Sequence, residues 1–133
     1  MNPGCAPRRE EYFDIADLVI VYENQYERFL SPPTDDPAFN YLRTGRHGTP
    51  LMLPQSSSKL SPAKFGVMIH DFADIDTLRK LRSLVNELVQ AKRVGALFIT
   101  DIKIKVADIY ANWSSFWPTF IRFVAESEQN FLY

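Results

Sequence analysis

Short apolar runs without internal alternation dominate the chain. They are Leu18-Val19-Ile20-Val21-Tyr22, Phe65-Gly66-Val67-Met68-Ile69 and Ala96-Leu97-Phe98-Ile99, all containing β-branched or aromatic residues. Such runs predict strands buried on both faces, as in a parallel sheet sheathed by helices. Between the second and third runs, Leu78, Leu81, Leu84, Val85, Leu88 and Val89 recur at helical spacing, with Arg79, Lys80, Arg82, Asn86 and Glu87 on the other face. The spacing predicts a helix over 76–92, with Asp76 as its N-cap, Lys92 and Arg93 at its last turn, and Gly95 permitting the exit. Strand, helix and strand then form a right-handed parallel crossover, with the strands adjacent in chain order.

Two further helices are expected. A short one contains Tyr12, Phe13, Ile15 and Ala16 and leads into the first strand. The last covers 113–126, with Phe116, Trp117, Phe120, Ile121 and Val124 on one side and Pro118 in its first turns, where proline is tolerated. Residues 31–63 differ from the rest. They hold Pro32, Pro33, Pro37, Pro50, Pro54 and Pro62 and the run Ser56-Ser57-Ser58, and they read as a surface insertion. Asp36 and Pro37 could open a short helix within it. The fold class is α/β.

Each strand finishes on polar residues: Glu23-Asn24, His70-Asp71 and Thr100-Asp101. The carboxyl ends of parallel strands lie on one edge, where ligand sites form. Glu23, His70 and Asp101 are therefore expected on one rim, and a carboxylate there can serve as acid, base or nucleophile. Polar strand ends are also simply solvated, so the three residues are candidates. Asn2-Pro3-Gly4 reads either as an ordinary turn or as the loop after a preceding strand. Tyr110, Trp113 and Trp117 offer aromatic faces on which a sugar ring could stack. For Trp117 helix packing is the expected role. His47 reads as a loop residue, and Cys5 has no basic neighbour fixed beside it to make it a nucleophile.

Composition narrows the classes. The 133 residues suit one hydrophobic core. Fifteen basic residues against 16 acidic give a net charge of −1, which offers no bulk attraction for nucleic acid. No apolar run approaches the roughly 20 residues of a membrane span. The N-terminus lacks the basic and apolar regions of a signal peptide. One cysteine and two histidines leave no set for a disulfide or a self-contained metal centre. There is no phosphate-binding loop or dinucleotide fingerprint, so no cofactor is expected.

Taken in order, Asn2-Pro3-Gly4, the run from Tyr12-Phe13-Asp14 to Val21-Tyr22-Glu23-Asn24, Val67-Met68-Ile69-His70 and Ala96-Leu97-Phe98-Ile99-Thr100-Asp101 resemble the C-terminal half of the spherulation-specific family 4 (spherulin-4-like) proteins. The resemblance implies a (β/α)8 TIM-barrel-like fold and a glycoside hydrolase. Fungal relatives are endo-acting enzymes on galactosamine-containing polysaccharide of cell wall and biofilm. The family is often secreted or wall-associated.

In that family an acidic pair at the end of a mid-barrel strand works with a glutamate at the end of a later strand. Glu23 matches the later glutamate, and the pair lies upstream of the Asn-Pro-Gly loop at which this chain begins. Asn2, His70, Asp101 and Tyr110 are the candidate substrate-binding residues beside it. A whole barrel takes about 250 residues, so the expectation is a C-terminal half barrel whose open sheet edges could self-associate. Three readings follow: a hydrolase fragment, an inactive or carbohydrate-binding remnant, and a self-standing doubly wound module with a small ligand.

Overall fold

The computed structural model describes residues 11–34, 41–42, 60–73, 76–105, 108 and 110–129. In chain order these form α1 (Tyr12–Ile15), β1 (Val19–Gln25), α2 (Tyr26–Leu30), a 3-10 turn (Pro62–Lys64), β2 (Phe65–His70), α3 (Thr77–Asn86), β3 (Ala96–Ile99) and α4 (Trp117–Gln129). Helix α3 runs on into a π-helical turn, Glu87–Ala91. The three strands are parallel and adjacent in the order β1-β2-β3, flanked by the helices. The fold is mixed α/β, with the crossover between β2 and β3 supplied by α3, as the apolar pattern predicts.

The core gathers on one face of this sheet. Val19, Tyr22, Phe65, Val67, Ile69 and Ile99 are buried in one cluster with Leu81, Leu84, Val85 and Leu88 of the α3 segment. Tyr22 meets Phe29 of α2 edge-on, ring centroids 5.5 Å apart. The opposite face is covered less, with Ile20, Glu23, Met68, Ala96 and Phe98 half-buried. The expectation that both faces are buried therefore holds fully for one face only. The segment 31–63, expected as a surface insertion, lies largely outside the described residues, as does the expected helix start at Asp36 and Pro37. Tyr41 and Leu42 within it are buried, and Tyr41 packs its ring 5.4 Å from Phe13 and 5.7 Å from Phe65. The segment thus contributes to the core as well as to the surface.

Local details depart from the pattern for identifiable reasons. Asp76 occupies the N-cap position without a capping bond, because its carboxylate pairs with Arg79 at 2.7 Å. Leu78, in the first turn of α3, stays exposed. The left-handed residue after the helix is Arg93, at φ 58°, rather than Gly95. Gly95 instead makes a close approach, and a Cβ there would lie 1.8 Å from the Ala63 carbonyl oxygen.

Helix α4 begins at Trp117 rather than at residue 113. A start at 113 would put Pro118 in the helix interior, against the carbonyl of Ser114. Starting at Trp117 leaves Pro118 in the first turn, where no N–H is needed. Its buried stripe contains Phe120, Phe123 and Ser127, while Ile121 is exposed. Phe123 is flanked by the guanidinium groups of Arg82 and Arg122, 4.6 and 5.6 Å from its ring. Ser127 Oγ lies 2.5 Å from Asn86 Oδ1, to which it donates, joining α4 to α3.

The two glycines against the sheet test this packing. Gly95→Ala forces a backbone clash and should lower stability by about 1–3 kcal/mol. Gly66→Ala should cost less, since its nearest obstacle is the rotatable Cδ1 of Ile20. Urea-unfolding midpoints of the two variants check the order.

Candidate active site

Parallel pairing puts the carboxyl ends of all three strands on one edge. Which face each side chain takes depends on register. Ile20 pairs with Gly66, but the next pair is Tyr22 with Val67, so Val21 is an extra residue in β1. This bulge places Tyr22 in the row of Val67 and Leu97, and Glu23 in the row of Met68 and Phe98. Glu23 consequently belongs to the less covered face, away from the cluster that holds Tyr22.

Tyr110, in the segment after β3, completes that row. Its hydroxyl donates a hydrogen bond to Glu23 Oε1 and lies 3.9 Å from Met68 Sδ. Its ring stands 6.3 Å from that of Phe98. A phenol has one proton to give, and the carboxylate is the stronger acceptor. Partial desolvation of the phenol, then the hydrogen bond and charge of Glu23, then the charge of Asp108 push Tyr110 up from 10.0 to about 12. Tyr110 therefore stays a neutral donor to Glu23 throughout the neutral range.

The edge itself is tied together by Asp71. At φ 56° it occupies the left-handed region that aspartate tolerates better than most residues. Its Oδ2 accepts from Gln25 Nε2 at 2.9 Å and its Oδ1 from the Ile104 amide at 3.0 Å. The Asp71 amide donates to the Ile102 carbonyl and that of Phe72 to the Thr100 carbonyl. One residue thus links the ends of β1 and β2 to the loop after β3.

His70 ends β2 in the row of Gln25. It is buried, and its Nδ1 lies 3.4 Å from Asp71 Oδ1 without a hydrogen-bond partner. Asp101 follows β3, and its carboxylate accepts from the Ser115 amide at 3.1 Å and from Ser115 Oγ at 2.5 Å. Asp101 therefore anchors the chain just ahead of α4. Asn2 lies outside the described residues.

Of the expected set, Glu23 and Tyr110 are joined directly. Asp101 shares their sheet edge but bonds to Ser115, and His70 shares it with its Nδ1 unpartnered beside Asp71. The edge also includes the half-buried neighbours Met68 and Phe98 and the strut formed by Gln25 and Asp71, which the apolar pattern does not single out. Only the strand pairing could show the first two. The polar pair following Ile69 was a signal for Asp71. Beside Tyr110 a groove of about 410 Å3 is lined by Phe98, Tyr110, Ala111, Asn112 and Trp113.

Comparison with known proteins gives this edge a context. The family model for spherulation-specific family 4 matches residues 1–124. The chain belongs to spherulation-specific family 4. Among solved structures, this family member is similar to Aspergillus clavatus Sph3, a crystal structure in complex with GalNAc. The two are 25% identical with a TM-score of 0.59, over 93% of this chain and 40% of that one. The spherulin-4 chain thus spans about two fifths of the length of the Sph3 structure. No curated protein matches it. Among the described residues, no helix is long and apolar enough to cross a membrane.

Two measurements test the geometry of this edge. A phenol whose pKa is raised on folding adds stability that is fully present below its unfolded value of 10.0 and lost as pH rises through about 12. In a tyrosinate absorbance titration, the transition missing from Tyr110→Phe should lie near pH 12 in the parent chain. Glu23→Gln should lower that transition without returning it to 10.0, because the desolvation of the phenol and the charge of Asp108 remain. Asp101→Ala should reduce stability by about 1–2 kcal/mol through loss of the Ser115 bonds, read from the thermal or urea transition.

Proposed function

We propose that Glu23 is one of the two carboxyl groups of a glycoside hydrolase site acting on galactosamine-containing polysaccharide of cell wall or biofilm. The sheet is, on this reading, the C-terminal part of a (β/α)8 barrel. Its less covered face is the barrel interior, and the strands β1 and β3, each paired on one side among the described residues, are continued by further strands. The observation that carries the proposal is the placement of Glu23. It stands near the carboxyl end of a parallel strand, on the less covered face, held by a neutral phenol. Membership of the family and the similarity to Sph3 in complex with GalNAc support a sugar as the ligand.

Hydrolysis of a glycosidic bond ordinarily uses an acid and a base or nucleophile on either side of the bond. A carboxylate oriented by the Tyr110 hydroxyl is suited to one of these roles. The neighbouring carboxylates are hydrogen-bonded within the edge, Asp71 to Gln25 and the Ile104 amide, Asp101 to Ser115 and Asp108 to the Tyr110 amide. The second carboxyl is therefore assigned to the acidic pair that the family resemblance places upstream of Asn2. His70, Asp101 and Asn2 are assigned to positioning the sugar.

The same bonding of Asp71 and Asp101 favours a second reading for the 133 residues by themselves, sugar binding without turnover. Reducing-end release from galactosamine-rich polysaccharide decides between them. This chain alone should release nothing measurable. A longer chain that adds the acidic pair should be active, and Glu23→Gln in it should remove activity by orders of magnitude. Turnover by the short chain would make Asp71 or Asp101 the partner. Full activity of the Glu23→Gln protein would remove Glu23 from the mechanism.

A further inference from the structure

Trp113 is 70% exposed and Tyr110 54% exposed, both in the same short segment and both lining the groove that Phe98, Ala111 and Asn112 complete. Large aromatic side chains left in water at one place mark a contact surface more often than scattered exposure does. The Trp113 indole is backed on one side. Its ring lies 4.4 Å from that of Trp117, at 35°. Trp117 in turn lies 5.4 Å from Phe120 and 6.1 Å from Phe98. This relay of rings reaches the core through Phe120, which is 1% exposed. An indole held from behind in this way has a fixed outer face, so a ligand stacking there loses less side-chain entropy on binding.

The groove is continuous with the proposed site through one residue. The Tyr110 hydroxyl holds Glu23 while its ring forms part of the groove wall. Asn112 brings an amide with both donor and acceptor to the same wall. We infer that Trp113, with Tyr110 and Asn112, forms an accessory subsite that stacks a second pyranose ring of the polysaccharide next to the ring at Glu23. The flat C–H face of a pyranose matches the electron-rich face of an indole, and its hydroxyl or acetamido edge matches the Asn112 amide. The inference rests on the proposed sugar ligand, and it assigns binding, not chemistry, to Trp113.

The chain has two tryptophans, Trp113 and Trp117, so its fluorescence reports on this groove directly. Titration of the chain with an N-acetylgalactosamine tetrasaccharide should give a saturable change in emission. Calorimetry should then show affinity reduced about tenfold or more in Trp113→Ala, and within about threefold of the parent in Trp113→Tyr, which keeps an aromatic face. Thermal unfolding confirms that the variants fold, since the exposed indole is not part of the core.

Unchanged affinity in Trp113→Ala would overturn the subsite and leave the hydrolase reading standing, because that reading is judged by Glu23→Gln turnover in the longer chain. Absence of tetrasaccharide binding by the parent chain would overturn the subsite as well. So would a dimer in sedimentation that Trp113→Ala abolishes, which would give the surface to a second copy of the chain.

Discussion

Side chains on a strand alternate between the faces of a sheet, so one inserted residue reverses every assignment beyond it. In β1 that residue is Val21. Ahead of it, Ile20 stands over Gly66, and beyond it Tyr22 aligns with Val67 and Glu23 with Met68. Regular pairing onward from Ile20 would have put Tyr22 in the row of Met68 and Glu23 in the row of Ile69, on the side of the buried cluster. A carboxylate there would bear the desolvation penalty of an unpaired buried charge. The bulge resolves both demands, with the phenol ring in the core and the carboxylate on the face that solvent and ligand can reach.

Once Glu23 is on that face, the loop after β3 supplies what orients it. Asp71 fastens the ends of β1 and β2 to this loop through Gln25 and the Ile104 amide. Asp101 fastens the other end of the same excursion through Ser115, just ahead of α4. Tyr110 lies between these two anchors. Its hydroxyl therefore meets Glu23 from a loop pinned on both sides, which reduces the entropy lost in holding the contact. Partial desolvation and the nearby negative charges keep the phenol protonated, so the interaction is that of a neutral donor with an anion.

The helical layer behind the sheet supports this arrangement without entering it. Helix α3 packs its leucines on the sheet, and α4 lies beside it through Ser127, Asn86 and the Arg82–Glu126 pair, 2.5 Å apart. The start of α4, set by Pro118, leaves residues 113–116 free to turn. That turn exposes Trp113 beside the site and presents the Ser115 amide to Asp101. The chain belongs to spherulation-specific family 4 and is similar in structure to Sph3, which was solved in complex with GalNAc.

Local chemistry was enough to place the strands, their parallel order, the α3 crossover and the polar residues at each strand end. Unbroken β-branched runs around a strongly amphipathic helix leave little alternative. The ordered motifs also pointed to the family. Tertiary structure decided the rest. An apolar run such as Val19 to Tyr22 has no alternation to mark its faces, so the bulge and the direction of Glu23 depend on pairing with a strand more than forty positions away. The role of Asp101 depends on where α4 starts, and the burial of Tyr41 on the rings of Phe13 and Phe65. Propensity acts between neighbours in the chain, whereas register, face and side-chain partner are set by contacts between residues distant in sequence.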